Sequence, residues 1–479
     1  MNFIKKRSEN DFRNSSKSYG YFMGLFRKRN VNNLENSVEA NGLKRKLNAI
    51  DIAALGLGAV IGTGIFVVTG QGAHMAGPAV VISYLIAAIT STLCALTYAE
   101  LATMFPVSGS TYSYCYVAFG EIIAWIVGWN LILEYLVSAA IVASGWSSVF
   151  VGILKLYNIY LPDSITKSLL SGGIIDLPAV LLIIFITYVL YKGVSESSKI
   201  NNITVIIKIA VIVIFIALGV PHINVKNYHP FAPFGLKGIM TASSVIFFAY
   251  IGFDTVSTSA EESINPKRDV PIGLMICMTV IVVLYLAISL VLTGIVPFMK
   301  IDVNNALPFS LAQIGINWGS VLVSVGAVVG MVSTLLVTLY GQIRIFMTMS
   351  RDGLIPSAFS KITSRNGIPG ICTILTGIIT GILSGFLPFN ILMDLCNIGT
   401  LSAFVMVSIG VIILRKTMPN AERKFRCPGV PFTPILTVAF CLYLMAGLQP
   451  LTWMRFLIWT IVGLAIYFLY GIKHSTLNY

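Results

Sequence analysis

Two ionisable residues lie deep inside apolar stretches of the sequence, where a charged side chain is costly. Lys208 is midway along NNITVIIKIAVIVIF, and Glu134 lies within GWNLILEYLVSAA. A charged lysine in the middle of a bilayer costs at least ~2.5 kcal/mol, and desolvation favours the neutral amine, which makes its proton exchangeable. Glu134 either forms a fixed pair that joins two helices, or supplies a polar pocket wall or a proton partner for Lys208. Both residues are therefore candidates for proton coupling.

The sequence lacks the residue patterns that enzymes and metalloproteins use. It contains no HExxH pair, no phosphate-binding loop and no recognisable nucleophile–base set. The seven cysteines form no CxxC pair, so we expect neither a metal site nor a structural disulfide. We therefore predict no enzymatic activity and no cofactor. A receptor that binds a small ligand without moving it across a membrane stays open as an alternative.

Composition indicates that most of the chain lies in a membrane. Hydrophobic residues make up 56% of the sequence and charged residues only 11%, whereas globular proteins carry about a quarter charged residues. Apolar stretches of about 20 residues cross the ~30 Å hydrocarbon core as helices, which satisfy their own backbone. The predicted fold is all-α, with twelve spans at about 50–72, 78–104, 121–152, 178–194, 197–219, 237–259, 271–296, 318–350, 371–388, 391–414, 432–449 and 453–472.

Basic residues indicate how the spans are oriented. Most of the 32 Lys and Arg residues fall in the tail 1–46 and in alternate loops. The positive-inside rule then predicts a multi-pass plasma membrane protein with cytoplasmic N and C termini. The net charge of +13 is explained by this topology and requires no nucleic acid partner. We expect a monomer in the lipid bilayer, with the basic tail near anionic lipid.

Two spans carry residues that interrupt a helix. The first contains GLGAVIGTGIFVVTG, and the sixth contains VIFFAYIGFDTVSTSAEESINPKRDVPIG. Two interrupted spans that lie five helices apart are typical of an inverted repeat with a substrate site between its broken helices. This spacing predicts repeats over 47–219 (helices 1–5) and 220–416 (helices 6–10), with helices 11 and 12 in 417–479.

An unwound segment in a membrane needs a ligand or water for its backbone groups. The amides that begin a half-helix favour a carboxylate, and the carbonyls that end the preceding half-helix favour an ammonium group. An α-amino acid carries both groups on one carbon. The alternative is that Gly58, Gly62 and Gly64 only permit close helix packing, as small residues do in many membrane proteins.

Several motifs carry a family resemblance. GLGAVIGTGIF, AELATMFPVSGSTYSY, GWNLILEY, MSRDGLIP and NIGTLSAF, together with the sixth-span motif, resemble the cationic amino acid transporter family of the amino acid–polyamine–organocation superfamily. The resemblance implies a 5+5 inverted repeat with discontinuous helices 1 and 6, and amino acid transport by alternating access. It also implies a substrate site formed by Val60, Gly62, Thr63, Gly64, Phe248, Ala249 and Ile251, with Phe248 as an aromatic lid.

The resemblance also bears on the energy source. In proton-coupled relatives a lysine resembling Lys208 places its amine where sodium-coupled relatives bind a cation, between helices 1, 5 and 8. We therefore expect a proton-coupled symporter, with Ser333 and Thr334 as neighbours of the amine. Asp254 is expected to stabilise the helix 6 break by hydrogen bonding.

The substrate is less sharply defined. Thr338 resembles the floor of the side-chain pocket, where a short residue leaves room for a large substrate. Glu134 nearby would suit a cationic side chain, since a buried guanidinium needs a carboxylate, whereas Val60, Phe248 and Ile251 suit side chains from alanine to leucine. We expect broad L-amino acid specificity with neutral substrates favoured. An exchanger of arginine, lysine or ornithine is the alternative.

Overall fold

The protein is described here by a computed structural model that covers residues 25–29, 45–107, 109–192, 198–362 and 369–478. Twelve apolar helical spans, α1–α12, follow one another along this part of the chain. The first repeat contains α1 (Ala49–Val60, Thr63–Phe66 and Val68–Ala76), α2 (Val80–Met104), α3 (Glu121–Leu156), α4 (Leu177–Tyr191) and α5 (Ser198–Gly219).

The second repeat begins with another interrupted helix. It contains α6 (Gly235–Ile246, Phe247–Tyr250 and Thr255–Thr258), α7 (Pro266–Ile295), α8 (Asn317–Arg351), α9 (Gly370–Phe386) and α10 (Phe389–Thr417). The chain ends with α11 (Phe432–Ala446) and α12 (Pro450–Ile466). Eight helical segments are long and apolar enough to cross a membrane, and four more are shorter apolar helices. The predictions of an all-α membrane protein and of discontinuous helices 1 and 6 are confirmed.

Some bounds differ from the predicted ones. The first span, expected over 50–72, extends to Ala76. It consists of three helical segments rather than one, because its glycines permit the chain to leave the helix. The fourth span ends at Tyr191 rather than at 194. Residues 193–197 lie outside the described residues, as does most of the predicted tail 1–46.

The start of α1 is fixed by its own sequence and by the end of α6. The Asn48 side chain accepts hydrogen bonds from the amides of Ile50 and Asp51 at 2.8 and 3.1 Å, and Asp51 accepts from the Asn48 amide, which forms a capping box. Just before this cap, the Leu47 amide donates to the Glu262 carbonyl at 3.0 Å. The α1 entrance is thereby attached to the chain that follows α6.

Described residues near both ends of the chain meet at one face of the bundle. The Arg27 guanidinium donates to the Leu477 carbonyl at 3.1 Å. Arg29 forms an ion pair with buried Asp352, just past α8, at 2.9 Å. Residues near the two termini therefore lie on the same side of the membrane, as an even number of spans requires.

Candidate functional site

The break in α1 lies between Val60 and Thr63, deep in the bundle. The first half-helix ends with Ile61 in an extended conformation, and Gly62 caps the next helical turn. The first turn of any helix leaves its leading amides without partners inside the helix, and here these include the amides of Thr63 and Gly64. The carbonyl end of the first half-helix and the amide end of the next helical turn are therefore separated by only two residues, Ile61 and Gly62.

Lys208 of α5 is fully buried and reaches the end of the first half-helix. Its Nζ donates to the Gly58 carbonyl at 2.6 Å and to Thr334 Oγ1 of α8 at 2.8 Å. Thr334 Oγ1 also lies 3.0 Å from the Gly58 carbonyl oxygen and 3.2 Å from that of Ile61. The amine thus joins α1, α5 and α8 at the carbonyl end of the first half-helix.

The break in α6 has a different construction. A short 3-10 turn, Phe247–Tyr250, leads to Ile251 in an extended conformation. Gly252 then adopts a φ of 117°, a left-handed value that L side chains rarely adopt. Thr255 turns its amide and its hydroxyl to the Gly252 carbonyl, at 3.1 and 2.5 Å.

The two breaks pack directly against each other. A Cβ atom on Gly64 would collide with the backbone of Ala249, and one on Gly252 would lie 3.1 Å from the carbonyl carbon of Ala59. Gly64 is therefore needed for a close approach between α1 and α6. Gly62 plays a similar part toward Thr334, whose Oγ1 lies 3.0 Å from the position of an added Cβ.

Thr63 and Val60 contact three further helices. The Thr63 hydroxyl lies 3.5 Å from the Val142 carbonyl of α3 and 3.4 Å from the Met331 sulfur of α8. The Val60 carbonyl accepts from the hydroxyl of Tyr285 on α7 at 3.2 Å. One carbonyl assigned to the substrate amine therefore already has a protein donor.

The remaining predicted pocket residues are also buried. Phe248 is 5% exposed, and Ile251 and Thr338 are each 7% exposed. The Thr338 hydroxyl donates to the Thr334 carbonyl one turn earlier, at 2.8 Å. The helix backbone therefore holds the hydroxyl hydrogen of Thr338, so the residue offers chiefly its methyl group to a substrate side chain. Ala249, the last member of this set, is fully buried against Gly64.

Glu134 lies on α3 beside another carboxyl group. It is 3% exposed, and its charge interacts with that of Asp254, which follows the α6 break. The Tyr135 hydroxyl donates to Asp254 Oδ2 at 3.3 Å, in agreement with the hydrogen-bonding role expected of Asp254. The Cys396 thiol of α10 donates to the Glu134 carbonyl at 3.8 Å. Both the pairing of Glu134 with another helix and its direct partnership with Lys208 stay predictions.

Two contributors to the site were not identified from the sequence. Tyr285 gives no signal, since a tyrosine in an apolar span is usually core. The Gly58 carbonyl that meets Lys208 is a backbone group, so the side-chain pattern does not reveal it. The buried Ser333 hydroxyl has no hydrogen-bond partner among the described residues, so its place as a neighbour of the amine stays a prediction.

Contacts beyond the α6 break join α1, α6 and α8 on the side of the bundle where Arg29 meets Asp352. Beyond the α6 break, Glu262 forms an ion pair with Arg344 of α8. The Glu262 carbonyl also accepts from the amides of Lys46 and Leu47 at 2.8 and 3.0 Å. These contacts hold the start of α1 and the end of α6 together over the breaks.

Comparisons with known proteins agree with this geometry. The family described as amino acid permease matches residues 47–467. The chain is 44% identical to the branched-chain amino acid permease BcaP and 43% identical to the methylthioribose transporter, both of Bacillus subtilis, over 95% of this chain and 99% of each relative. It is 35% identical to cationic amino acid transporter 9, chloroplastic, of Arabidopsis thaliana, over 92% of this chain and 90% of the relative.

These matches cover both helix breaks and nearly all of the twelve spans. The relatives are named as permeases and transporters, so the predictions of a transporter and of a protein that is not an enzyme are confirmed. The resemblance inferred from the motifs is confirmed as well. The chain belongs to the amino acid permease family of multi-pass membrane proteins.

Proposed function

We propose that this protein is a proton-coupled symporter of L-amino acids that works by alternating access. Lys208 supports this proposal most directly, because a fully buried amine joins the interrupted helix to two other helices. A proton on Lys208 supplies a charge-assisted hydrogen bond to Gly58, which contributes about 1.5–3 kcal/mol. Protonation therefore stabilises the observed position of the first half of α1.

Loss of that proton would weaken the attachment of α1 to α5 and α8. The substrate ammonium binds near the same carbonyl end, so substrate and proton act on one structural element. A conformational change that moves α1 therefore depends on both the substrate and the proton, and this joint dependence is what coupling requires. The Glu134–Asp254 pair is proposed as a second proton-binding group, since two adjacent buried carboxylates resist simultaneous ionisation.

In the proposed cycle the end of the bundle that carries the Glu262–Arg344 ion pair opens toward the cytoplasm. Opening requires separation of Glu262 from Arg344 and from the entrance of α1. The positive-inside pattern supports cytoplasmic termini, so this end is assigned to the inside.

For substrate, we propose neutral L-amino acids of alanine to leucine size. The predicted lining residues Val60, Phe248 and Ile251 are apolar, and the Thr338 hydroxyl is held by its own helix. The similarity to a branched-chain amino acid permease supports the same class, while the similarity to a methylthioribose transporter identifies a competitor that must be tested.

The central test uses purified protein in sodium-free proteoliposomes. With an inside-alkaline pH gradient, labelled leucine or alanine should accumulate above its external concentration, and a proton ionophore should abolish the accumulation. Uptake that requires sodium and ignores pH would overturn the proton assignment. Saturable binding without net flux would identify a sensor instead.

Substrate class is tested by competition in the same vesicles. Unlabelled valine, leucine and isoleucine should displace labelled leucine, whereas arginine and methylthioribose should displace it at least about tenfold less well. Thr338→Met should exclude leucine more than alanine, because it fills the predicted floor. Competition by arginine alone would favour the cationic exchanger.

A further inference from the structure

A groove runs along the outer surface of the bundle, between α4 and α9. It encloses about 470 Å³ and is lined by Ile175, Val180, Ile184, Thr187, Tyr188, Tyr191, Ile374, Gly377, Ile378, Gly381, Ile382 and Phe386. Side chains on its rim are strongly exposed, including Ile184 at 58% and Ile382 at 55%. Because both helices span the membrane, this exposed apolar surface faces the hydrocarbon region.

The glycines on α9 have two roles at the groove. Two of them allow α9 to pack closely against α4, and a third leaves space at the floor of the groove. A Cβ on Gly377 would collide with Thr187, and one on Gly385 would lie 2.9 Å from Val180. These two glycines are therefore used for the contact between α4 and α9 within the chain. An added Cβ on Gly381 meets only Ile183, at 3.8 Å. The absent side chain at Gly381 leaves the space at the floor of the groove.

One end of the groove carries a positive charge. The lining residues on α4 run from Val180 to Tyr191, which at 1.5 Å per residue is a length of roughly 17 Å. Lys192 follows directly, and its exposed ammonium lies 5.4 Å from the ring centroid of Tyr188, a lining residue. The groove thus combines an apolar channel of acyl-chain length with a cation at the level of the membrane interface.

We propose that this groove binds an anionic phospholipid, with one acyl chain between α4 and α9 and its phosphate at Lys192. A hydrocarbon chain matches the apolar lining and the length, and the phosphate matches the cation. A second copy of this chain is a poorer occupant, because the two glycines that permit close packing are already in contact with α4. The inference does not depend on which substrate is transported or on proton coupling.

Native mass spectrometry of the purified protein in equimolar phosphatidylglycerol and phosphatidylcholine tests the proposal. The wild-type protein should retain one phosphatidylglycerol with about fivefold preference, the value expected for one lysine near the membrane surface. Gly381→Leu should lose the retained lipid, because its side chain fills the groove. Lys192→Gln should retain lipid without the headgroup preference. Matched controls are Leu181→Ala, an exposed α4 residue outside the lining, and Lys300→Gln in another loop.

The outcomes distinguish the groove from general lipid adhesion. Equal retention by wild type and Gly381→Leu, with both proteins unfolding at the same temperature, would overturn the site. Equal retention of both lipids by the wild type would overturn the role of Lys192, as would an unchanged preference in Lys192→Gln, a surface change that does not threaten folding. A dimer lost in Gly381→Leu would assign the groove to a second copy and overturn the proposal.

Discussion

The two helix breaks look alike in sequence but are stabilised in different ways. In α6, the Gly252 carbonyl accepts from the amide and hydroxyl of Thr255, three residues later in the same helix. In α1, the Gly58 carbonyl accepts from Lys208 of α5, and the Val60 carbonyl accepts from Tyr285 of α7. The glycine turn of α6 is bonded within its own helix, whereas the carbonyls at the α1 break accept from other helices. Elsewhere around its break, α6 also accepts from Asn397 of α10 at the Ser244 carbonyl and from Tyr135 of α3 at Asp254.

This difference assigns distinct tasks to the two breaks. A turn that is hydrogen-bonded within its own helix keeps its shape when neighbouring helices move. The turn from Gly252 to Thr255 in α6 is therefore expected to stay fixed. A break held by other helices changes when those helices shift or when a donor loses its proton. The α1 break is therefore the element through which proton binding is expected to act, and substitutions at its distant partners should have the larger effects.

The largest effect is expected at Lys208. Lys208→Ala removes the charged donor to Gly58 and leaves buried carbonyl and hydroxyl groups without it, which costs about 1.5–3 kcal/mol. Accumulation driven by a pH gradient should fall at least about tenfold, with substrate exchange partly retained. Uptake into proteoliposomes at several external pH values measures both.

Lys208→Arg serves as the matched variant. It retains a positive charge that does not titrate in proteins, so uptake should lose its dependence on pH even where some transport remains. A pH profile for Lys208→Arg that matches the wild type would contradict the role of this residue as the proton carrier.

A smaller but substantial effect is expected at Gly64, where α1 meets α6. Gly64→Ala places a methyl group against the backbone of Ala249, and backbone yields less readily than a flexible side chain. We expect weaker substrate binding and a lower unfolding temperature, measured by ligand-induced thermal stabilisation. Gly399→Ala on α10 is the control, because its added Cβ meets its nearest atom at 3.7 Å. Equal stabilisation by ligand in both variants would contradict a requirement for close contact.

Sequence patterns predicted the elements of this site better than their connections. The apolar periods, the glycines of α1 and the mid-membrane position of Lys208 are local features, so the twelve spans, the two breaks and the buried amine could be inferred directly. The contact between Lys208 and Thr334 followed from the family resemblance. A tertiary contact of this kind has no signature in one sequence alone.

Other features depend on packing that sequence does not reveal. Tyr285 reaches the Val60 carbonyl only because α7 crosses the break, and nothing around position 285 marks it. Gly64 has a helical conformation and a close neighbour in the Ala249 backbone, whereas Gly252 in the α6 break has a left-handed conformation. A single sequence does not distinguish these two reasons for glycine.

Tyr285→Phe tests whether the α1 break depends on α7. The change removes only the hydroxyl that donates to Val60, and a neutral hydrogen bond contributes about 0.5–1.5 kcal/mol. Substrate affinity should change about fivefold while the pH dependence of uptake stays that of the wild type. Tyr250→Phe, which removes a neighbouring hydroxyl bonded to the Tyr84 carbonyl, is the matched control and should change affinity less. Equal effects of the two variants would assign Tyr285 to general packing.

The smallest effect is expected at Thr255, because the α6 break has two local donors. Thr255→Val removes the hydroxyl bond to the Gly252 carbonyl and keeps the side-chain shape, while the amide of residue 255 still donates to the same oxygen. Substrate affinity and pH dependence should each change by less than about twofold, as measured in the vesicles used for Tyr285→Phe. A loss larger than that of Tyr285→Phe would mean that the hydroxyl does more than complete a local turn. The α6 break would then depend on a side-chain donor, as the α1 break does, and the two breaks would not differ in the way proposed.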